Sequence, residues 1–295
     1  MHPSPNEKIL VVGASGQLGT ALIQQLGTSA VPAARRQLQA DWLHIDLEQL
    51  ADNPSLLDGL IERHQMTAIL CCAGATNVDR CETEQQWAAA ANHLGPLALA
   101  RAAAAAKIPY AFFSTDYVFD GESGPYSEDA PVHPLSVYGR TKAEGEESIL
   151  AAHPTSLVLR TTTVFGPDPQ GKNFLYTLRR LLTAGQTMRL PVDQFATPTY
   201  VSDLATASLA LLRAGQSGIF HIAGPDFMSR VDFALLACEV LGLDASLLQS
   251  MTTTELNQQA KRPLAGGLRI DKLRTALPTI IMRDTMAAIH AWKDA

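Results

Sequence analysis

Three side chains, Tyr138, Lys142 and Thr115, have the types and the spacing for carbonyl chemistry. Tyr138 and Lys142 are four residues apart, so on a helix they share one face. Because an ammonium favours the ionised form of a neighbouring phenol, we expect the pKa of Tyr138 to fall from about 10 toward the working pH. Such a tyrosine can pass a proton to a carbonyl oxygen while a hydride reaches the carbon, and Thr115 can hold that oxygen. The alternative is an exposed tyrosine near an exposed lysine.

The donor of that hydride has a predicted site near the N-terminus. Residues 8–12 are typical of a strand buried on both faces, and residues 13–19, GASGQLG, follow at once, with a helix predicted over 20–26. Glycines permit a tight turn and a close approach of the backbone, and a helix start offers N–H groups to a pyrophosphate. The residues predicted to contact the cofactor here are Gly13, Ser15, Gly16, Gln17, Leu18 and Gly19.

The second predicted strand, residues 30–34, bears on the choice of nicotinamide cofactor. It leads into Arg35 and Arg36, and no acid follows until Asp41. A carboxylate after this strand accepts hydrogen bonds from a ribose 2′-hydroxyl, whereas a guanidinium suits a 2′-phosphate. The pair therefore favours NADPH, with NADH as the alternative if both arginines are solvated surface residues. Further cofactor contacts are predicted at the ends of two later strands, at Asp46, Leu47, Cys72, Ala73 and Gly74.

The elements that must position these side chains alternate between strand and helix as far as Thr161, which predicts a parallel sheet with helices on both faces. Strands are predicted over 8–12, 30–34, 42–45, 67–72, 110–114, 156–160 and 219–222. Helices are predicted over 20–26, 53–64, 82–106 with a bend at Gly95-Pro96, 173–184, 201–213, 231–241 and 285–292. Asn92, on the long helix, is expected either to orient Lys142 through a water or to be a polar residue of the helix surface.

The fold class expected is α/β, a Rossmann-type doubly wound parallel sheet with a smaller, mainly helical substrate domain. Residues 6–164 and about 198–222 form the predicted cofactor domain, and residues of about 165–197 and 223–295 form the predicted substrate domain. The cleft between the two is the expected site.

Composition excludes several classes of protein. The 295 residues are 46% hydrophobic, enough for a sizeable core, and a net charge of −6 with no basic run longer than two residues argues against a nucleic-acid partner. No apolar stretch reaches the ~20 residues of a membrane span, and residues 1–7 do not resemble a signal peptide. The four cysteines form no C-x-x-C pair, which predicts a reduced, cytoplasmic location. The histidines show no metal-ligand spacing, so no metal is expected, and a homodimer is compatible with the sequence.

Several motifs together resemble one known family. They are residues 114–121 (STDYVFDG), 125–128 (PYSE), 134–142 (PLSVYGRTK), 171–174 (GKNF), 193–199 (DQFATPT) and Arg262-Pro263. Nearly end to end, the chain resembles an extended short-chain dehydrogenase/reductase, and specifically the dTDP-4-dehydrorhamnose reductase family. The resemblance implies reduction of a 4-keto group on a nucleotide-activated 6-deoxy sugar by NAD(P)H. It implies that Thr115, Tyr138 and Lys142 are the catalytic set and that the substrate residues are Tyr117, Asn173, Phe174 and Arg262.

Departures from the family pattern fall where substrate is expected to bind. Ala265 and Gly266 stand where the family usually has a polar residue and a serine, and Thr163 stands where it tends to have a bulky aromatic. Two alternatives therefore remain open. One is a nucleotide-sugar epimerase or dehydratase of the same superfamily, although a dehydratase would have an acid where Tyr117 follows Asp116. The other is a non-catalytic regulatory subunit, like the reductase-like β subunit of methionine adenosyltransferase.

Overall fold

The computed structural model describes residues 7–36 and 38–294. The predicted first residue of the cofactor domain, residue 6, and most of the segment 1–7 lie outside the described residues. Numbered along the chain, the strands are β1 (Ile9–Val12), β2 (Ala30–Ala34), β3 (Leu43–His44), β4 (Ala68–Cys71), β5 (Tyr110–Thr115), β6 (Leu157–Thr161), β7 (Val164–Phe165), β8 (Met188–Pro191), β9 (Phe195–Ala196), β10 (Thr199–Tyr200), β11 (Gly218–His221), β12 (Met228–Ser229) and β13 (Leu248–Met251).

Seven of these strands form one parallel sheet in the order β3-β2-β1-β4-β5-β6-β11. In its centre Val12 is in register with Ala33 of β2 and Cys71 of β4. The strand order reverses its direction at β1, because β2 lies on one side of β1 and β4 on the other. In sheets of this kind ligands bind outside the carboxyl ends of the strands at the reversal. The predicted α/β fold class is confirmed, and each predicted strand of the sheet occurs within one residue of its expected bounds.

The helices of the described part are α1 (Gln17–Leu26), α2 (Leu47–Asp52), α3 (Leu60–Arg63), α4 (Val78–Thr83), α5 (Gln85–Ala89), α6 (Gly95–Ala106), α7 (Val137–Ala152), α8 (Phe174–Thr183), α9 (Val201–Arg213), α10 (Arg230–Leu241), α11 (Thr253–Leu256), α12 (Asp271–Ala276) and α13 (Thr285–Lys293). Predicted helix α9 has the expected bounds, and α1, α8, α10 and α13 begin or end within three residues of them. No helix within residues 7–36 and 38–294 has the length and apolar character needed to cross a bilayer.

Two predicted helices were wrong in detail. The segment 53–64 is a 3₁₀ turn (Pro54–Leu57) followed by the short α3, because Gly59, with a φ of +66°, interrupts the helical path. The segment 82–106 is not one helix, because the backbone of Glu84 leaves the helical region between α4 and α5. Just before Gly95-Pro96, where a bend is predicted, residues 90–94 form a π-helical turn that leads into α6. Such turns recur at functional sites.

The sheet has an apolar layer on each face. Side chains alternate along a strand, so Ile9 and Val11 join the cluster of α1 and α9, while Leu10 and Val12 join that of α2 and α6. Fully burying one such side chain contributes roughly 1.5–3 kcal/mol. These two layers fix the carboxyl ends of β1, β4 and β5 relative to one another, and those ends carry the predicted site.

A third apolar cluster joins α8, α10 and α13, with Leu178, Phe233 and Trp292 among its buried members. Three short strand pairs, β7 with β10, β8 with β13 and β9 with β12, lie in the same part of the chain. Residues from this C-terminal part also reach the sheet, since Leu273 and Leu277 belong to the cluster of α1 and α9. The division into a cofactor domain and a substrate domain therefore stays a prediction.

Candidate active site

A cleft of about 840 Å³ opens at the carboxyl ends of β1, β4 and β5. Its lining contains Thr115, Tyr138 and Lys142 together with the glycine turn between β1 and α1. Lys142 is buried, at 4% exposure, so the alternative of an exposed tyrosine near an exposed lysine is wrong. Residues far apart in the sequence therefore meet in one place, where a dinucleotide and a ketone could lie side by side.

The glycine turn is packed too closely on neighbouring backbone to accept side chains at two of its positions. Gly13 has a φ of +95°, and a Cβ added to it would lie 2.6 Å from the backbone nitrogen of Ala73. A Cβ on Gly19 would collide with the carbonyl oxygen of Gly13. Helix α1 begins after Gly16 without a side-chain cap and with no acidic residue in its first turn. Its first N–H groups therefore remain available to an anion. All six residues predicted here, from Gly13 to Gly19, line the cleft.

The structure divides the two arginines predicted to recognise a 2′-phosphate. Arg35 lines the cleft with 58% of its side chain exposed, 3.5 Å from Glu48. Arg36 is also exposed but lies outside the cleft lining. Glu48, which the sequence reasoning missed, also lines the cleft.

The other predicted cofactor residues all line the cleft: Asp46, Leu47, Cys72, Ala73 and Gly74. The carboxylate of Asp46 accepts a hydrogen bond from the backbone N–H of Glu48 at 3.0 Å and so caps α2. Gly74 leaves room for its neighbours, since a Cβ there would lie 2.9 Å from Asn92 Oδ1 and 3.1 Å from Lys142 Nζ. These five residues therefore lie where a ligand in the cleft would contact them, and their roles as cofactor contacts stay predictions.

Helix α7 presents the tyrosine and the lysine. Ser136 caps the helix by accepting a hydrogen bond from Gly139 N at 3.2 Å, which sets the first turn that carries Tyr138. Lys142, one turn later, donates to the carbonyl oxygen of Phe113 on β5 at 2.9 Å and lies 4.5 Å from the ring of Phe112. The lysine therefore joins α7 to the strand that ends at Thr115.

Thr115 and Asp116 are linked at the end of that strand. Thr115 Oγ1 donates to Asp116 Oδ1 and accepts from the N–H of Tyr117, both at 3.2 Å. Asp116 is buried, and its other carboxylate oxygen accepts from Thr162 Oγ1 at 2.7 Å and from Gly267 N at 3.3 Å. Burial raises the pKa of Asp116, although these donors lower it. Asp116 thus joins the end of β5 to the loop that follows Arg262-Pro263.

The predicted direction of the Tyr138 pKa was wrong. Burial raises the pKa of Tyr138 well above 10, and its interaction with Thr115 only partly opposes that effect. Burial also lowers the pKa of Lys142 from 10.5 to about 8, so the lysine is itself a weakened source of positive charge. Desolvation of both groups outweighs the attraction that the four-residue spacing suggested. At neutral pH the phenol is therefore protonated, which is the form that can give a proton away.

Asn92 lies on the π-helical turn and is completely buried, so its placement on a helix surface was wrong. Its Oδ1 accepts from Ala75 N at 2.8 Å, and its Nδ2 donates to Ala75 O and to Thr141 Oγ1, both at 3.2 Å. Asn92 therefore connects the segment after β4 with the helix that carries Lys142. An effect on Lys142 through water stays a prediction.

The four predicted substrate residues separate into two groups. Tyr117 lines the cleft with its ring 5.4 Å from that of Tyr138, and Asn173 lines it while its side chain caps α8 and donates to Gly166 O at 2.9 Å. Phe174 packs on Phe233, with ring centroids 5.2 Å apart, and lies outside the lining. Arg262 also lies outside it and donates to Asp79 Oδ2 at 2.8 Å. Phe174 and Arg262 are therefore not part of the cleft lining, and each has a contact with another residue, Phe233 and Asp79 respectively.

The departures from the family pattern have a structural counterpart. A Cβ on Gly266 would lie 2.8 Å from Asp116 Oδ2, so a serine at this position would displace either the loop or the carboxylate. Thr163 lines the cleft with a φ of +43°, a conformation that is strained for a β-branched residue. Both differences lie near Asp116, because Gly266 adjoins its Oδ2 and Thr163 follows Thr162, whose hydroxyl donates to the same oxygen.

Sequence reasoning missed the loop that covers the glycine turn. Gln17 Nε2 donates to Gly166 O at 3.2 Å, and Gln170 Nε2 donates to Ser15 O at 3.0 Å. Asp168 holds this loop by accepting from three backbone N–H groups, those of residues 170, 172 and 173. Arg230, at the start of α10, also lines the cleft and was missed. No periodicity could have found these residues, because each contact joins segments that are remote in the sequence.

The described residues contain no group of three or more His, Cys, Asp and Glu side chains that could hold a metal ion. His221 is fully buried, and burial lowers its pKa to about 3. It lies 3.5 Å from Arg160 Nη1, outside the cleft lining.

Comparison with known proteins gave consistent matches. Residues 7–291 match the family model described as RmlD substrate binding domain. The chain is 32% identical over 292 residues, 95% of this chain and 96% of the other, to the probable low-salt glycan biosynthesis reductase Agl14 of Haloferax volcanii. It is 34% identical over 283 residues, 91% of this chain and 92% of the other, to a dTDP-4-dehydrorhamnose reductase of Aggregatibacter actinomycetemcomitans. The crystal structure of a dTDP-4-dehydrorhamnose reductase of Bacillus anthracis in complex with NADP is similar with a TM-score of 0.88, 25% identity and coverage of 98% of this chain and 99% of that one.

Proposed function

The chain belongs to the RmlD substrate binding domain family and is an NAD(P)-dependent oxidoreductase, and we propose that it uses NADPH to reduce the 4-keto group of a nucleotide-activated 6-deoxy sugar. The observation that carries this proposal is the common lining of one cleft by Thr115, Tyr138, Lys142 and the glycine turn. The names of the relatives support the substrate class, and the NADP bound to the Bacillus anthracis protein supports the cofactor.

The residues at the glycine turn fit a dinucleotide. The absence of side chains at Gly13 and Gly19 lets the turn pack directly on the backbone of Ala73 and on its own backbone, and the uncapped start of α1 faces the cleft. Arg35 is the residue that would hold a 2′-phosphate, provided that the phosphate replaces Glu48 as its partner. Bound NADPH would supply the hydride.

The chain's own residues would handle the oxygen and the proton. Tyr138 and Thr115 hold the ketone oxygen, and the hydroxyl hydrogen of Thr115 turns from Asp116 Oδ1 toward it. As negative charge develops on that oxygen, Tyr138 gives up its proton as general acid, a contribution typically worth about 10²–10⁴-fold in rate. Lys142, held by the Phe113 carbonyl, would supply a positive charge from the same face of α7 as the phenol.

The test is oxidation of NADPH by the purified protein with a panel of nucleotide-linked 4-keto-6-deoxy sugars. We expect turnover that falls by about 10²-fold or more in Tyr138→Phe, because only the proton donor is removed. Tyr176→Phe is the matched control, since Tyr176 packs against Trp292 and lies outside the cleft lining.

Two results would contradict the proposal. Turnover at the wild-type rate in Tyr138→Phe would contradict the assignment of Tyr138 as general acid. Firm NADPH binding with no reduction of any member of the panel would contradict the proposed substrate class. The second result would favour a superfamily epimerase or dehydratase, or the non-catalytic regulatory subunit.

We place the reaction in the cytoplasm, a location supported by the four cysteines, which are all unpaired. We also propose that the protein is a homodimer, and sedimentation of the same preparation tests this.

A further inference from the structure

We propose that Arg230 binds the diphosphate of the substrate, so that the cleft selects nucleotide-activated sugars over free ones. This inference rests on the proposed function and extends it to a residue that neither the motifs nor the family resemblance singled out. Its basis is the position and the unsatisfied charge of one side chain.

Arg230 differs from the other basic groups that line the cleft. Arg35 lies beside Glu48, Lys142 donates to Phe113 O, and Lys172 donates to Gln170 Oε1 at 2.8 Å. The guanidinium of Arg230, by contrast, makes no hydrogen bond or ion pair with any residue in 7–36 or 38–294. Its contact is with a ring, 5.0 Å from its central carbon to the centroid of Phe174. Five donors of a guanidinium are thus available in a partly buried place.

The surroundings of Arg230 include both signs of charge, since Tyr117 and Asp116 raise its pKa while burial and Arg262 lower it. Arg262 lies close enough to lower the pKa of Arg230, in addition to the larger effect of burial. Arg262 donates a hydrogen bond from Nη2 to Asp79, while its Nη1 is buried without a hydrogen-bond partner among the described residues. Asp116 is the carboxylate that acts on the pKa of Arg230. It already accepts hydrogen bonds from Thr162, Gly267 and Thr115. Desolvated cations of this kind are stabilised by an anion that enters the cleft.

The place of Arg230 fits the substrate better than the cofactor. It stands at the start of α10, next to Phe174 and acting electrostatically on Tyr117, whose ring contacts that of Tyr138. The glycine turn, where the pyrophosphate of a dinucleotide is expected, is instead covered by residues 166–170. An anion beside Arg230 would therefore belong to the molecule whose ketone lies at Tyr138. A diphosphate is the anion that a nucleotide-activated sugar carries, and a guanidinium can bind two of its oxygens at once.

The experiment measures nucleoside diphosphate binding by calorimetry to the protein saturated with NADP⁺, so that the cofactor site is already filled. The probes are thymidine, uridine and guanosine diphosphates and the corresponding nucleosides. We expect at least one diphosphate to bind to the wild type and its affinity to fall by about 10-fold or more in Arg230→Met, with partial retention in Arg230→Lys. Affinity for the nucleoside should change little.

Arg179→Met is the matched control, because Arg179 also lies about 5.1 Å from aromatic rings, those of Tyr176 and Trp292, but outside the cleft lining. Equal diphosphate affinity in wild type and Arg230→Met would overturn the inference, as would an equal loss for diphosphate and nucleoside, which would mean that Arg230 only supports Phe174. So would failure of the wild type to bind any of the three diphosphates.

The inference and the proposed reaction can fail separately. Diphosphate binding that depends on Arg230, without reduction of any 4-keto sugar, would contradict the reaction alone. Reduction of a nucleotide-linked sugar with an unchanged KM in Arg230→Met would contradict the role of Arg230 alone.

Discussion

Lys142 is a positive charge that the fold holds in a buried place. Its ammonium has a backbone carbonyl and a phenylalanine ring as neighbours, and burial lowers its pKa from 10.5 to about 8. A lowered lysine pKa means that the native protein binds the proton less tightly than the unfolded chain does. Between about pH 8 and 10.5 the unfolded chain keeps a proton that the native chain has lost, so the contribution of Lys142 to stability rises with pH across that range. At neutral pH the buried charge therefore lowers the stability of the native protein, a cost that the proposed catalytic role would explain.

We expect Lys142→Met to abolish turnover and yet to raise the free energy of unfolding at pH 7. The shift of the pKa corresponds to about 3 kcal/mol, and the lost hydrogen bond to Phe113 O offsets about 1–2 kcal/mol of it, which leaves a gain of about 1–2 kcal/mol. Urea unfolding at pH 7 and at pH 9.5 measures this gain, which should shrink at the higher pH.

Lys272→Met is the control for that measurement. Lys272 also donates to a backbone carbonyl, that of Ile219, and lies 4.3 Å from the ring of Phe220, but it is exposed. Its replacement should give no gain that depends on pH. A loss of stability at pH 7 in Lys142→Met would show that burial of the charge is not the dominant effect.

Arg35 and Arg36 allow a second comparison at the scale of single residues. Because Arg35 lines the cleft and Arg36 does not, we expect Arg35→Met to raise the KM for NADPH by about 10-fold or more and to change the KM for NADH little. Steady-state kinetics with both cofactors measures the effect, and Arg36→Met is the matched neighbour. Equal effects of the two substitutions would mean that general charge, and not a 2′-phosphate contact, attracts NADPH.

At the scale of elements, one buried ion pair joins three parts of the site. Glu146 on α7 accepts from Arg160 of β6, whose Nε lies 2.9 Å from its Oε1, and from the hydroxyl of Ser114 on β5. Arg160 is 1% exposed and Glu146 is 4% exposed. Because Glu146 lies one turn after Lys142, and Ser114 precedes Thr115, the pair fixes the helix of the tyrosine and lysine relative to the strand of the threonine.

This pair should show strong coupling in a double-mutant cycle. Glu146→Leu leaves a buried guanidinium without its carboxylate and should cost about 3–5 kcal/mol, whereas Glu146→Leu combined with Arg160→Met should cost less than the two single changes added together. Urea unfolding of the four proteins gives the coupling energy. The exposed pair Arg269–Asp271 is the control, with an expected coupling below about 1 kcal/mol. Additive effects at the buried pair would exclude it as a link between α7 and β6.

At the scale of the whole molecule, the sheet was predictable because its signals are local. Apolar runs such as residues 8–12 and 110–114 indicate strands that are buried on both faces. The glycine turn is one short segment, and Tyr138 and Lys142 are only four residues apart, so each of these two signals is local. The pKa of Tyr138, the burial of Asn92 and the position of Arg230 could not be predicted in this way. Each depends on which remote segments pack together, and neither spacing nor composition records how much water those segments exclude.

The edge position of β11 has a consequence for the synthesis of the chain. Strand β11 pairs with β6, yet 56 residues separate them in the sequence, 162–217, and these include α8 and α9. As the chain leaves the ribosome, β6 therefore presents an unpaired edge until residue 221 has emerged, and an open edge can pair with another nascent chain. Translation speed across this stretch, rather than the stability of the finished protein, would then govern how much of the product aggregates.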